Sequence, residues 1–360
     1  MRIEKLDGLR GVFSLMVVVF HYPEEFLPIW FSEFFMIRQS FVFVDFFFVL
    51  SGFVISYNYN TLSSSADFWK YLRNRFTRLY PLLFYSCSLV FIYNILIKLL
   101  IQPIFPGYFA NNQFTFEEHI LPFFDSILFM NSTPILGSTS GVNHPSWSIS
   151  SEMISYLVFG LVAIAFHEKF KKYILASIIL ISAVLLFYLG NFFLTGDYGF
   201  LRGLVCFNLG YFVWKLYKKD FVVNSSFEYV LPILMIVIFY YLSILGNLTT
   251  FGLLYNILAI PLFFSFAILL FTKTNGYLTR LLEKKTIQYL GKISYSIYLN
   301  HIIIFLVILN PLYKILKIQP TAINQLLIFV LVLLIIIFYS HFTYKYIEIK
   351  GNSYLKKLFK

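Results

Sequence analysis

Residues 40–58 read SFVFVDFFFVLSGFVISYN, with Asp45 as their single charged side chain. A run of about 20 apolar residues is long enough to cross the hydrocarbon core of a bilayer as a helix. The chain's other long apolar runs are equally continuous, unlike the short alternating segments of an outer-membrane barrel. The stretch therefore predicts an all-α protein that spans a membrane.

The composition extends this prediction to all 360 residues. Hydrophobic residues make up 59% of the chain and charged residues 12%, whereas an average globular domain is about 25% charged. The mean hydropathy is +0.77. These values exclude soluble enzymes, coiled coils, disordered chains and secreted disulfide scaffolds. We predict about ten transmembrane helices, at residues 10–28, 40–58, 79–101, 147–166, 173–194, 198–215, 229–245, 251–271, 292–313 and 322–344.

Lysine and arginine fall mostly in every second connection between these spans. Cytoplasmic loops are enriched in these residues, so we predict cytoplasmic termini and a multi-pass location in the inner (plasma) membrane. The membrane topology then explains the net charge of +11, and no nucleic-acid partner is expected. Residues 1–350 form one predicted transmembrane domain, and residues 351–360 form a short basic cytoplasmic tail. The outer loop, residues 102–146, is expected to be re-entrant or interfacial.

Several ionisable side chains lie within the predicted spans, where they are costly and functional by default. With a rise of about 1.5 Å per residue, His21 lies at middle-to-outer depth, while arginines lie at the cytoplasmic rim. Each group also has a structural interpretation as a packed polar residue, a snorkelling side chain or a topology anchor. The groups at middle or outer depth are His21, Asp45, Glu152 and His301, and those at the rim are Arg10, Arg75 and Arg78.

This distribution predicts chemistry with two entrances. Guanidinium groups suit bidentate binding of phosphate, and these arginines face the cytosol. A histidine with a neighbouring carboxylate has the parts of a general base and its orienting partner. Cys87 and Cys206 lie in apolar spans and indicate neither a disulfide nor a metal site.

Segments along nearly the whole chain resemble the acyltransferase 3 family of bacterial membrane O-acyltransferases. Ten residues lie between Arg10 and His21, as in the family's Arg-x10-His motif, and Arg75 and Arg78 match its Arg-x-x-Arg motif. The similar segments are IEKLDGLRGVFSLMVVVFHY (3–22), FVFVDFFFVLSGFVIS (41–56), WKYLRNRFTRLYPLLF (69–84), HPSWSISSEMISYL (144–157), LRGLVCFNLGYF (201–212), GKISYSIYLNHIIIF (291–305) and YKYIEIKG (344–351).

The resemblance implies transfer of an acyl group, most often acetyl, from cytosolic acyl-CoA to a hydroxyl of an extracytoplasmic glycan such as lipopolysaccharide, capsule, exopolysaccharide or peptidoglycan. It implies no permanently bound cofactor, and we expect a stand-alone form without the C-terminal esterase-like domain of many members. The closing IEIKG lacks the proline that many members carry there, so Glu348 is expected to lie outside the site.

The sequence interpretation gives each candidate residue a role. We expect His21 to act as general base or nucleophile, two alternatives that the sequence leaves open, and Asp45 or Glu152 to orient it. Arg10, Arg75 and Arg78 are expected to bind coenzyme A phosphates. Trp147, Ser148 and His301 are expected to contact the acceptor, with Trp147 as a sugar platform. No metal is expected.

A secondary transporter of a glycan precursor or small anion is the rival interpretation. Ten spans with intramembrane histidine and glutamate fit a transporter equally well. The paired arginines beside the Arg-x10-His spacing favour the enzyme, because a transporter has no need of them.

Overall fold

The computed structural model describes residues 3–101, 103–104, 118, 120–136, 141–245 and 249–359. Its described residues form helices and connecting turns, without a strand. The α-helices are α1 (Glu4–Phe20), α2 (Ile29–Ser32), α3 (Phe35–Arg38), α4 (Phe43–Tyr59), α5 (Ser65–Leu96), α6 (Leu121–Ile127), α7 (Ser146–Ala165), α8 (Glu168–Tyr188), α9 (Gly199–Tyr217), α10 (Val230–Leu245), α11 (Thr250–Lys273), α12 (Tyr277–Leu282), α13 (Lys285–Asn310), α14 (Ala322–Thr343) and α15 (Lys350–Leu358).

Within the described part of the chain, eight helical segments are long and apolar enough to cross a membrane. This confirms the all-α, polytopic membrane class. The segments are Ser40–Tyr59, Ser65–Ile101, Ser146–Ala165, Glu168–Tyr188, Ser225–Leu245, Thr250–Lys273, Lys285–Ile315 and Ala322–Leu358. The side of the membrane on which each terminus lies stays a prediction.

Two of the ten predicted spans, α1 and α9, form helices but are not among those eight. Helix α1 has 17 residues and ends at Phe20, shortly before Pro23, which disfavours helix at the preceding residue. Helix α9 carries Arg202 and Lys215 and packs against α4, α7, α8 and α11. Its polar side chains therefore contact protein rather than lipid.

Helices α1 and α13 pack closely along their length. A Cβ atom added to Gly11 would lie 2.6 Å from the backbone nitrogen of Gly291, and one added to Gly291 would lie 2.0 Å from the carbonyl oxygen of Asp7. The absent side chains allow the two backbones to touch. This contact brings the end of α1 beside the middle of α13, where two histidines meet.

Helix α5 begins with a side-chain cap and carries two site arginines. The hydroxyl of Ser64 accepts a hydrogen bond from the amide of Asp67 at 3.1 Å, satisfying an unpaired donor of the first turn. Arg75 and Arg78 are three residues apart and share one helix face. The structure brings that face to the interior of the bundle.

The described part of the outer loop includes the short helix α6, which packs on α5 and α7. The residues that follow α6 are hydrogen-bonded to α7: the side-chain amide of Asn131 donates to the Ser146 hydroxyl at 2.8 Å, and the hydroxyls of Ser132 and Ser150 are 2.8 Å apart. Residues 102, 105–117, 119 and 137–140 of the loop lie outside the described residues. The loop's re-entrant or interfacial position in a membrane remains a prediction.

Candidate active site

A cavity of about 220 Å³ lies between α1, α4, α5, α7 and α13. Arg10, Arg75 and Arg78, the arginines at the predicted cytoplasmic rim, all line it. Its wall also carries Glu152 and Ser148. We call this space the arginine cavity.

The guanidinium groups of the arginine cavity are held by aromatic and acidic neighbours. Arg75 donates to the hydroxyl of Tyr59 at 3.3 Å and lies 5.2 Å from the centroid of that ring. Arg10 pairs with Asp7 at 3.3 Å. Arg78 has Tyr156 among its electrostatic neighbours. Three positive groups in one partly buried cavity create a binding site for an anion.

Glu152 belongs to this cavity rather than to the surroundings of His21. Its carboxylate accepts a hydrogen bond from Ser51 at 2.5 Å and another from Tyr156. Glu152 follows Ser148 by one helical turn, so both face the cavity. The expectation that Glu152 orients the imidazole therefore differs from the observed hydrogen bonds.

Glu348, which the sequence interpretation left outside the site, is an electrostatic neighbour of two of the cavity's arginines. It lies in the π-helical segment Tyr344–Ile349 between α14 and α15, a backbone form that is frequent at functional sites. Its carboxylate accepts from Ser296 at 3.0 Å and interacts electrostatically with Arg78 and Arg10. Glu348 belongs to the segment YKYIEIKG, which resembles the family.

A second group of side chains forms a histidine cluster, made of His21, His144 and His301. The ring centroid of His21 lies 5.0 Å from that of His301 and 5.7 Å from that of His144. His301 comes from α13, whereas His144 precedes α7. The sequence interpretation proposed His21 and His301 as site residues and missed His144.

The hydrogen bond of His21 fixes its tautomer. Its Nδ1 lies 3.0 Å from the carbonyl oxygen of Val17. Because a carbonyl only accepts, Nδ1 carries the proton, and Nε2 of the neutral ring keeps a lone pair. The orienting partner is thus a backbone carbonyl of α1 rather than a carboxylate.

Asp45, predicted as an orienting carboxylate, forms an ion pair with Arg202. Both bonds of the bidentate pair are 2.7 Å long, and the two side chains are almost fully buried. A buried guanidinium requires such a partner. Asp45 consequently joins α4 to α9.

Trp147 is buried beside the same pair and is not an open sugar platform. It is 3% exposed, and the Arg202 guanidinium lies 5.4 Å from its ring. The cation–π contact and the packing against Phe48 explain its inward orientation. A sugar cannot stack on this face while the ring is covered.

Tyr298 connects the arginine cavity with the histidine cluster. Its hydroxyl contacts the Ser148 hydroxyl at 2.8 Å and donates to the Pro145 carbonyl at 3.1 Å. Its ring lines the cavity and lies 6.2 Å from the ring of His301. His301 is fully buried, and neither of its ring nitrogens has a well-formed hydrogen bond. The arginine cavity and the histidine cluster are therefore neighbouring parts of the structure.

No group of three or more His, Cys, Asp or Glu side chains could hold a metal ion in the part of the chain that the structure describes. The cluster's three rings pack against one another instead of converging on a point.

Residues 3–341 match the family model described as an acyltransferase domain. The chain is thus a polytopic membrane protein with an acyltransferase domain, and it belongs to the acyltransferase 3 family. It is 29% identical over 171 residues to the acyltransferase MdmB of Streptomyces mycarofaciens. The match covers 44% of this chain and 39% of that protein, well under half the length of the relative. No solved structure matches.

Proposed function

We propose that this membrane acyltransferase moves an acyl group, acetyl in the first instance, from cytosolic acyl-CoA to a hydroxyl of an extracytoplasmic glycan. The observation that carries the proposal is the continuity from the arginine cavity through Tyr298 to the histidine cluster. The side chain of Tyr298 lies between the cavity for the anionic donor and the histidines that serve the acceptor. Family membership favours this reaction over transport. The proposed location is the inner membrane.

The donor half of the reaction follows from charge and size. Arg10, Arg75 and Arg78 bind phosphate oxygens of coenzyme A in fork geometry. A volume of about 220 Å³ is below the roughly 300–1,000 Å³ of pockets that enclose a whole ligand. The cavity therefore takes the narrow pantetheine arm, and the nucleotide stays toward the cytosol.

The acceptor half uses the lone pair of His21. Nε2 either removes the proton of the acceptor hydroxyl or attacks the thioester carbonyl. Ser148 and His301 line the approach to that nitrogen from the donor side. The acceptor, a glycan or lipid-linked glycan, approaches from outside.

The experiment measures coenzyme A release by purified protein in nanodiscs, with acetyl-CoA and a crude extract of envelope glycan. The expected result is multiple-turnover release that depends on the extract and disappears in His21→Ala. Folded protein that binds acetyl-CoA but never releases coenzyme A with any extract would contradict the proposed donor chemistry. Uptake of glycan precursor into vesicles without loss of acetyl-CoA would favour the transporter instead.

A further inference from the structure

His144 is the exposed member of the histidine cluster. Its side chain is exposed, whereas His301 on the cavity side is fully buried. The ring centroid of His21 lies 5.7 Å from that of His144 and 5.0 Å from that of His301. His144 is thus the imidazole of the cluster that an acceptor from outside meets first.

The position of His144 is built into the fold. On one side of it, the amide of Asn143 donates to the Leu299 carbonyl at 2.9 Å. On the other side, the Pro145 carbonyl accepts from Tyr298 at 3.1 Å. Both neighbours of His144 in sequence are therefore bonded to α13, close to His301. Because the chain is bonded to α13 on both sides of His144, the position of the His144 ring relative to His21 is fixed.

Transfer through an acylated histidine needs two groups, one to carry the acyl group and one to accept the proton of the acceptor hydroxyl. The lone pair of His21 is at Nε2, because Nδ1 is committed to Val17. One imidazole cannot carry an acyl group on that nitrogen and also accept a proton there. A second, exposed imidazole beside it supplies the missing base.

We propose that His144 is a second catalytic base, which takes the proton of the acceptor hydroxyl while His21 carries the acyl group. This inference rests on the proposed function and deepens it, because it assigns the two half-reactions to different histidines.

The acyl group is transferred in two steps. Nε2 of His21 attacks the thioester carbonyl carbon, the C–S bond breaks, and coenzyme A leaves as a thiolate that takes a proton from water. His21 is then an acyl-imidazolium that keeps its Nδ1 proton. The acceptor oxygen attacks the acyl carbon, its proton passes to His144, and the N–C bond to the acyl group breaks. Neutral His21 is restored, and His144 releases its proton to the outer solution.

The test uses the full chain in nanodiscs with acetyl-CoA labelled in the acetyl group. Without an acceptor, we expect one coenzyme A release per protein and hydroxylamine-labile label on both wild type and His144→Gln. With the envelope glycan extract, we expect multiple turnover by His144→Gln to fall by about 10²–10⁴-fold, the usual contribution of a general base. Label should persist on the variant and be discharged from wild type.

His144→Ala separates a chemical role from a structural one. Added imidazole should restore its acceptor-dependent turnover if His144 acts as a base, and it should not do so if the residue only supports the fold. His167→Gln is the matched control, because His167 is an exposed histidine at the N-cap of α8, away from the cluster. Acceptor-dependent turnover of His144→Gln at the wild-type rate would overturn the inference. So would wild type that transfers acetyl groups without ever becoming labelled. Wild type that releases no coenzyme A under any condition would instead overturn the proposed function.

Discussion

Nδ1 of His21 donates a hydrogen bond to the carbonyl oxygen of Val17 over 3.0 Å. One turn of α1 thus decides which imidazole nitrogen keeps its lone pair. Replacing the ring by His21→Gln removes this basic nitrogen. We expect coenzyme A release to fall by at least about 10²-fold, in the nanodisc assay with acetyl-CoA and glycan extract.

His341→Gln is the control for this change, because His341 contacts Tyr289 at another place in the bundle. Its turnover should equal that of wild type. Normal turnover by His21→Gln would exclude His21 as base and as nucleophile.

The arginine cavity predicts an effect on donor affinity. Arg78→Ala removes a guanidinium from the cavity, and a hydrogen bond to a charged group contributes about 1.5–3 kcal/mol. We expect KM for acetyl-CoA to rise by roughly 10–100-fold, measured from the acetyl-CoA dependence of turnover. Arg75→Ala should behave in the same way.

Arg73→Ala is a matched control on the same helix. Arg73 lies outside the cavity lining and donates to the carbonyl of Phe359 at 2.5 Å. If Arg73→Ala raised KM as much as Arg78→Ala, general surface charge rather than the cavity would bind the donor.

The buried pair of Asp45 and Arg202 predicts a loss of stability rather than of chemistry. Asp45→Asn leaves the buried guanidinium without its counter-charge, which costs about 3–5 kcal/mol. We expect a clear fall in Tm of the purified protein, measured by thermal unfolding in detergent. The protein that remains folded should keep its kcat.

The double change Asp45→Leu with Arg202→Met separates the two roles further. It removes both charges, so much of the lost Tm should return. A folded Asp45→Asn protein with unchanged Tm and abolished kcat would instead support the catalytic role that the sequence predicted.

Partial burial of the ring lowers the pKa of His144 below its usual value of 6.5. A base must be neutral to accept a proton, so its contribution is full above that pKa and is lost as pH falls through it. We therefore expect the acid limb of acceptor-dependent turnover to have its midpoint below pH 6.5. The groups that face His144 are His21 and His301.

The pH profile of acceptor-dependent turnover should be compared with that of acceptor-free coenzyme A release, which does not require His144. An acid limb above pH 6.5 in the acceptor-dependent profile alone would contradict a lowered pKa at this residue.

The sequence predicted the parts of the site that are set by local spacing. Arg75 and Arg78 share a face because they are three residues apart, and apolar runs of span length gave the helices. The distance from Arg10 to His21 placed them at different depths on α1. Each of these predictions depends on one helix at a time, for which period and rise are sufficient.

Partners that come from distant helices could not be predicted in this way. Asp45 and Arg202 are separated by 157 residues in sequence, and no helical period connects them. Likewise, His144 reaches His21 only because Asn143 binds α13. Glu348 joins the arginines through the packing of the π-helical segment. Such pairings depend on which helices are neighbours, and this is decided by packing of the whole bundle.

The contact of the Tyr298 hydroxyl with Ser148 and Pro145 lies where the two halves of the site meet. A continuous channel of water through this point would let protons run down the electrochemical gradient that the cell maintains. The side chain of Tyr298 stands between the arginine cavity and the histidine cluster, and the thioester must pass it to reach His21. We expect a bilayer carrying the resting protein to remain electrically tight, so that the acyl group crosses without a leak of ions.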